Sequence, residues 1–173
     1  MLSVAVIFFT FATGAFVIGV YLLGIGADEP EDGGKGPLYT IGWIELVVGL
    51  FLVTQMIILV EVAGLPTLAG VVGLFALFFI SLGIALIKGA DLRPVGAIAF
   101  TIGLFAWPFA FFDGFNGVFV FQSNAILWSV AFFGIAAFTY GKLGARPLGG
   151  ILMLVAIWGW LPAVYLSVDA TIF

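Results

Sequence analysis

The sequence predicts an all-α, polytopic integral membrane protein, a bundle of six transmembrane helices with N and C termini extracytoplasmic. Three observations carry this. First, 64% of the 173 residues are hydrophobic and 8% are charged, whereas soluble domains carry about 25% charged residues. Mean hydropathy is +1.35. Second, six apolar runs use almost the whole chain, and each is close to the ~20 residues that a hydrocarbon core of ~30 Å demands of a helix. Third, all five basic residues fall in odd-numbered gaps between those runs: Lys35 in the first, Lys88 and Arg93 in the third, Lys142 and Arg146 in the fifth. Lysine and arginine collect on the cytoplasmic side, so the odd gaps share that side and both termini lie opposite.

The first span covers residues 2–25. Met1-Leu2-Ser3 offers no basic n-region, and no small-residue cleavage site precedes the first loop, so this segment reads as a retained span. The acidic, glycine-rich stretch 26–36 ends it. Pro37 opens the second helix at a position where a missing N–H costs little, and the second span covers 38–60. A hinge from Glu61 to Pro66 leads to the third span, 67–87. Lys88 to Pro94 forms a turn with both charge signs, and the fourth span covers 95–112. Asp113-Gly114-Phe115-Asn116-Gly117 carries two turn signals. The fifth span covers 121–140 and the sixth 147–167, with Pro162 as a kink inside the sixth because its ring removes a backbone hydrogen bond. Connections this short make consecutive helices antiparallel neighbours in one domain, 1–173.

Composition narrows the chemistry. Cysteine and histidine are both absent, which removes disulfides, thiolate metal sites, the commonest general base and the usual pH switch near neutrality. No catalytic residue, metal site or cofactor is expected. The net charge of −4 comes mostly from Asp28-Glu29-Pro30-Glu31-Asp32, so nucleic acid is not an expected partner; the expected partner is the lipid bilayer.

Glu45 is the ionisable side chain that lies well inside a span. A mid-membrane charge costs ~2.5–3.5 kcal/mol on insertion scales and normally faces a bundle interior or a wet cavity. Two readings stand for it: a polar contact for a permeating solute or proton, or a structural carboxyl bonded to a neighbouring helix. Gly42 and Gly49 flank it on the same helical face, and glycine marks close helix approach in lipid. The remaining polar groups within spans are sparse: Thr10, Thr13, Thr54, Gln55, Ser81, Thr101, Gln122, Asn124, Ser129 and Thr139. They include no carboxylate pair and no nucleophile with a base, which argues against an enzyme. Trp128 lies mid-helix rather than in the interfacial belt where tryptophan is usual. Trp158 and Trp160 flank Gly159 just before Pro162.

These residues resemble the AmiS/UreI family of urea and short-chain amide channels. Gly89-Ala90-Asp91-Leu92-Arg93-Pro94 is similar to the family's Gly-x-x-Trp-Arg-Pro turn. Asn124 to Trp128 resembles the start of its fifth helix, Pro147-Leu148-Gly149 the entry to its sixth, and Trp160-Leu161-Pro162-Ala163 its Trp-Ile-Pro-Ala segment. The resemblance covers residues 75–166. It implies a passive channel for a small neutral solute in the cytoplasmic membrane of a prokaryote, assembled as a homo-oligomeric ring, a hexamer in the family, with one pore per protomer. Phe79, Trp128 and Trp160 would be slot walls, with Glu45, Ser81 and Asn124 as polar contacts. Departures are also clear. The family's row of fifth-helix tryptophans is thinned to Trp128, Ser81 stands where a tyrosine is expected, and the histidine-rich outer loops of acid-gated members have no counterpart. Two other readings compete: a non-catalytic structural subunit of a larger membrane complex, and a small-carboxylate transporter of the acetate type. Convergence of Glu45, Ser81 and Trp128 inside the bundle would favour the channel.

Overall fold

The computed structural model describes residues 2–25, 35–111 and 117–167. It contains six helices, α1 (Leu2–Leu22), α2 (Pro37–Glu61), α3 (Pro66–Lys88), α4 (Arg93–Phe109), α5 (Phe119–Thr139) and α6 (Ala145–Ser167). The acidic run Asp28 to Asp32, the turn Asp113 to Asn116 and the expected last residue of the fourth span, Phe112, lie outside the described residues.

Proline and glycine set the helix ends. α2, α3 and α4 each carry proline at the first or second position, where its missing donor is one that a helix leaves unpaired anyway. At the start of α4, Asp91 Oδ1 accepts the Arg93 N–H at 2.9 Å, which starts that helix two residues before the predicted Val95. α1 stops at Leu22 rather than at Ile25 because Gly24 adopts φ 79° and turns the chain. Gly89 ends α3 in the same left-handed region, with φ 60°, and the Ala90 N–H reaches back to the Ala85 carbonyl at 2.9 Å.

Among the described residues, five helices are long and apolar enough to cross a membrane. α4 has 17 residues, about 25 Å of rise, at the short end of the spanning range of ~17–25 residues. Large apolar side chains point outward all round the bundle, among them Phe9, Val47, Leu77, Phe105, Val130 and Ile157. In water such a surface would be an aggregation liability; here it is the lipid-facing side of a multi-pass membrane protein.

The helices close a ring in chain order: each packs on the next, and α6 returns to α1. Three of the six seams are close, α2 with α3, α1 with α6, and α4 with α5, and glycine makes each possible. A Cβ on Gly42 would lie 2.9 Å from the Gly83 carbonyl oxygen, and one on Gly83 would lie 2.6 Å from that of Gly42. Gly19 and Gly149 face each other in the same reciprocal way across α1 and α6, at 3.3 and 3.1 Å. Gly96 seats Thr139 and Gly103 seats Phe133 across α4 and α5. Lipid tails are as apolar as the side chains, so this close packing, rather than escape from water, is what holds the ring.

Candidate pore and axial cavity

Alternate helices fill the middle of the ring with aromatic rings. α1 contributes Phe8 and Phe11, α3 contributes Phe75, Phe78 and Phe79, and α5 contributes Trp128 and Phe132, each at most 3% exposed. Phe11 is the hub: its ring centre lies 4.9 Å from Phe75, 5.4 Å from Trp128, 5.7 Å from Phe79 and 6.1 Å from Phe132. Trp128 also meets Phe75 edge-on at 5.2 Å and Phe8 at 5.3 Å. The inward faces of α4 and α6 carry small or aliphatic groups at the corresponding depth, including Ala99, Ile102, Val155 and Ala156. Contacts at 4.5–7 Å between ring centres stabilise beyond area burial alone, and together they close the axis.

Glu45 stands at one edge of this layer. It is fully buried, and neither carboxylate oxygen has a hydrogen-bond partner among the described residues. Its neighbours explain the setting. A Cβ on Gly14 would lie 3.0 Å from Glu45 Oε2 and 2.9 Å from the Phe79 ring, so α1, α2 and α3 converge there only because Gly14 lacks a side chain. Gly42 and Gly49, one turn either side of Glu45, lie against the backbone of α3. That places the carboxyl beside the α2–α3 seam.

A cavity of about 310 Å³ occupies the end of the ring that carries the basic residues, and all six helices line it. Its volume holds on the order of ten waters at ~30 Å³ each. Ile18, Ile41 and Leu82 line its wall, one turn from Gly14, Glu45 and Phe79 respectively. Phe78 also lines it, so the cavity ends where the aromatic layer begins. The lining is apolar apart from the Tyr21 and Thr139 hydroxyls. At the mouth end, the guanidinium of Arg93 lies 2.6 Å from Asp91 and holds that carboxyl below the usual carboxylate range.

Past the aromatic layer, toward the chain termini, a second polar group ties α5 to α6. Trp158 Nε1 donates to Ser123 Oγ at 2.8 Å, and Asn124 Nδ2 donates to the Val120 carbonyl at 2.9 Å and to the Trp158 carbonyl at 3.4 Å. Asn124 Oδ1 is buried without a partner among the described residues. Trp160 is not on that side: it sits on the α1–α6 seam 5.4 Å from Phe16, which lies between Gly14 and the cavity-lining Ile18 in sequence, and its indole N–H is buried and unpartnered among the described residues.

The structure thus brings Phe79 and Trp128 to the hub ring of Phe11, with Glu45 beside Gly14 and Phe79 at the edge of that group. It leaves Asn124 on α5 beyond the layer and Trp160 on the α1–α6 seam against Phe16, and it does not bring Ser81 to the axis. Ser81 is half-buried and lies about 200° round α3 from Phe79, away from the cavity. Pro162 is buried within α6, which remains helical to Ser167. The hydroxyls of Thr10, Thr13, Thr54, Thr101, Ser129 and Thr139 donate to carbonyls of their own helices, so most of the polar set is spent locally. The residues that sequence reasoning missed are Phe8, Phe11, Phe75 and Phe132, together with the Ser123–Trp158 pair.

The fold and this geometry define a class: a six-helix membrane bundle with an axial cavity sealed by aromatic rings. Within that class the chain has the fold of solved urea channels. It superposes on the crystal structure of the urea channel from the human gastric pathogen Helicobacter pylori with a TM-score of 0.74 at 15% identity, covering 98% of each chain. The cryo-electron microscopy structure of the Helicobacter pylori urea channel in the closed state gives a TM-score of 0.68 at 14% identity, covering 96% of this chain and 98% of the other. No protein-family model matches the chain, and no curated protein matches it in sequence.

Proposed function

We propose that this chain is a passive channel for small neutral solutes, urea or a short-chain amide, with the path along the ring axis. One observation carries the reading. Glu45 buries two carboxyl oxygens that have no partner among the described residues, one turn beyond Ile41, which lines a cavity shared by all six helices. Buried polar groups are nearly always hydrogen-bonded, and a native exception calls for an explanation; a polar solute or water passing this point supplies the missing partner. A flat, neutral amide suits the aromatic layer, whose ring faces exclude hydrated ions, and selectivity then follows from slot width and a few hydrogen-bonding groups. Glu45 is the polar contact beside Phe79, one turn beyond the cavity wall; Phe79 and Trp128 are slot walls, and Asn124 Oδ1 is a further acceptor on the other side of the layer.

Passage requires the Phe11, Phe75 and Trp128 rings to swing aside, since they meet across the axis. The chain works in the cytoplasmic membrane of a prokaryote, with the basic loops inside and both termini outside, as a ring of protomers with a pore in each. The lipid-facing apolar sides are compatible with such a ring. Glu45 and Trp128 turn inward, and this favours a channel over a packing subunit, for which the carboxyl would face a partner. The test is stopped-flow light scattering on proteoliposomes. Urea or acetamide should enter faster than into protein-free vesicles, and protein-independent entry of both would overturn the proposal.

A further inference from the structure

On the outer surface of the bundle, α4 and α5 enclose a groove of about 750 Å³ that is separate from the axial cavity. Phe100 and Phe133 line it as a contacting pair, with ring centres 5.5 Å apart, and Ala97 and Ala136 leave its floor open. Thr101 also lines it, but its hydroxyl donates to the Ala97 carbonyl at 3.1 Å, so the groove is apolar for most of its length. Its polarity is confined to one end, where Tyr140 and Lys142 stand. That is the end of the ring carrying all five basic residues. Arg93, at the same end of α4, is paired with Asp91 at 2.6 Å, whereas no ion pair takes Lys142 among the described residues.

We infer that this groove is a binding site for an anionic phospholipid, with an acyl chain lying along the Phe100 and Phe133 rings over Ala97 and Ala136 and the headgroup phosphate on Lys142. The charge decides the occupant. An apolar trough open to lipid would accept any acyl chain, but a lone unmatched ammonium at its mouth selects a negative headgroup. Basic pockets between helices at the cytoplasmic face are suited to such lipids. Lysine fits the role because its stem lies along apolar surface while its ammonium stays at headgroup level. This site is independent of whether the chain conducts.

The test is native mass spectrometry of the full chain, delipidated and then exposed to dioleoyl phosphatidylglycerol or dioleoyl phosphatidylcholine. Phosphatidylglycerol should be retained about fivefold better, the scale expected of one basic residue near a membrane surface. Lys142→Gln should erase that preference and Lys142→Arg should keep it. Lys88→Gln, which removes a basic residue at the same end but outside the groove, should change nothing. Ala97→Trp should lower the retention of both lipids. Equal retention of the two lipids by the parent chain would overturn the inference, as would an equal loss with Lys88→Gln. So would a change of oligomeric mass, without loss of lipid, in Ala97→Trp, because the groove would then seat a second copy. If Ala97→Trp fails to fold, the Lys142 and Lys88 variants decide alone.

Discussion

Gly14 and Glu45 share one small space: a Cβ on the glycine would stand 3.0 Å from the carboxyl Oε2, with the Phe79 ring at 2.9 Å on the other side. Both obstacles are side-chain ends and neither is backbone. Gly14→Ala therefore leaves the α1–α2 and α1–α6 seams in place, at a cost in the range of about 1–3 kcal/mol for mild overpacking. It forces Glu45 and Phe79 toward the axis. Solute flux should fall by about tenfold, the factor that ~1.4 kcal/mol on a barrier produces, with the oligomer intact. Unchanged flux in a folded Gly14→Ala variant would take this point off the permeation path.

Glu45 itself should show stability and flux moving in opposite directions. Its two oxygens are buried without partners among the described residues, and an unsatisfied buried polar group costs about 1–3 kcal/mol. Glu45→Leu removes that cost and the solute's hydrogen-bonding contact together, so it should unfold at a higher temperature and conduct less. Glu45→Gln keeps a carbonyl acceptor and should conduct nearly as well as the parent. Thermal unfolding in detergent and flux in vesicles measure the two sides; a Leu variant that conducts normally would remove Glu45 from the mechanism.

The α2–α3 seam makes a purely structural prediction. A Cβ on Gly83 would fall 2.6 Å from both the Gly42 carbonyl oxygen and the Leu46 nitrogen, and backbone atoms cannot swing aside as Phe79 can. Gly83→Ala should cost more than the ~1–3 kcal/mol of ordinary overpacking and should lower the unfolding temperature and yield. Gly150, with nothing within 4 Å of its would-be Cβ, is the control. Gly150→Ala should stay within about 0.5 kcal/mol of the parent.

Hydropathy and basic-residue placement made the six helices readable, and spacing made Gly42 and Gly49 readable as a contact face around Glu45. The aromatic hub was not. With 20 phenylalanines in the chain and helices that are apolar all round, no periodicity separates Phe8, which is 2% exposed, from Phe9 at 59%. Only the closure of the ring decides which of the two faces inward. Ser81 is hard to place for a related reason: position along the helix puts it near Phe79, while two residues of helical rotation turn it toward the outside. Hydropathy carries the first span through Gly24, yet the glycine's φ of 79° ends the helix there.

Trp128 tests whether the aromatic layer is the selectivity element. It contacts Phe8, Phe11 and Phe75 at 5.2–5.4 Å, so Trp128→Ala should cost about 3–5 kcal/mol in stability. It also removes the largest ring on the axis. Urea should then enter at least as fast as through the parent, and a bulkier neutral solute such as glycerol should gain the most. Trp128→Phe keeps a ring in the layer and should retain the parent's preference with a smaller loss of stability. The ratio of the two solutes separates a filter from a merely structural ring, because loss of folded protein lowers both fluxes together. A folded Trp128→Ala variant with an unchanged ratio would mean that selection lies elsewhere on the path, with Asn124 beyond the layer as the next residue to vary.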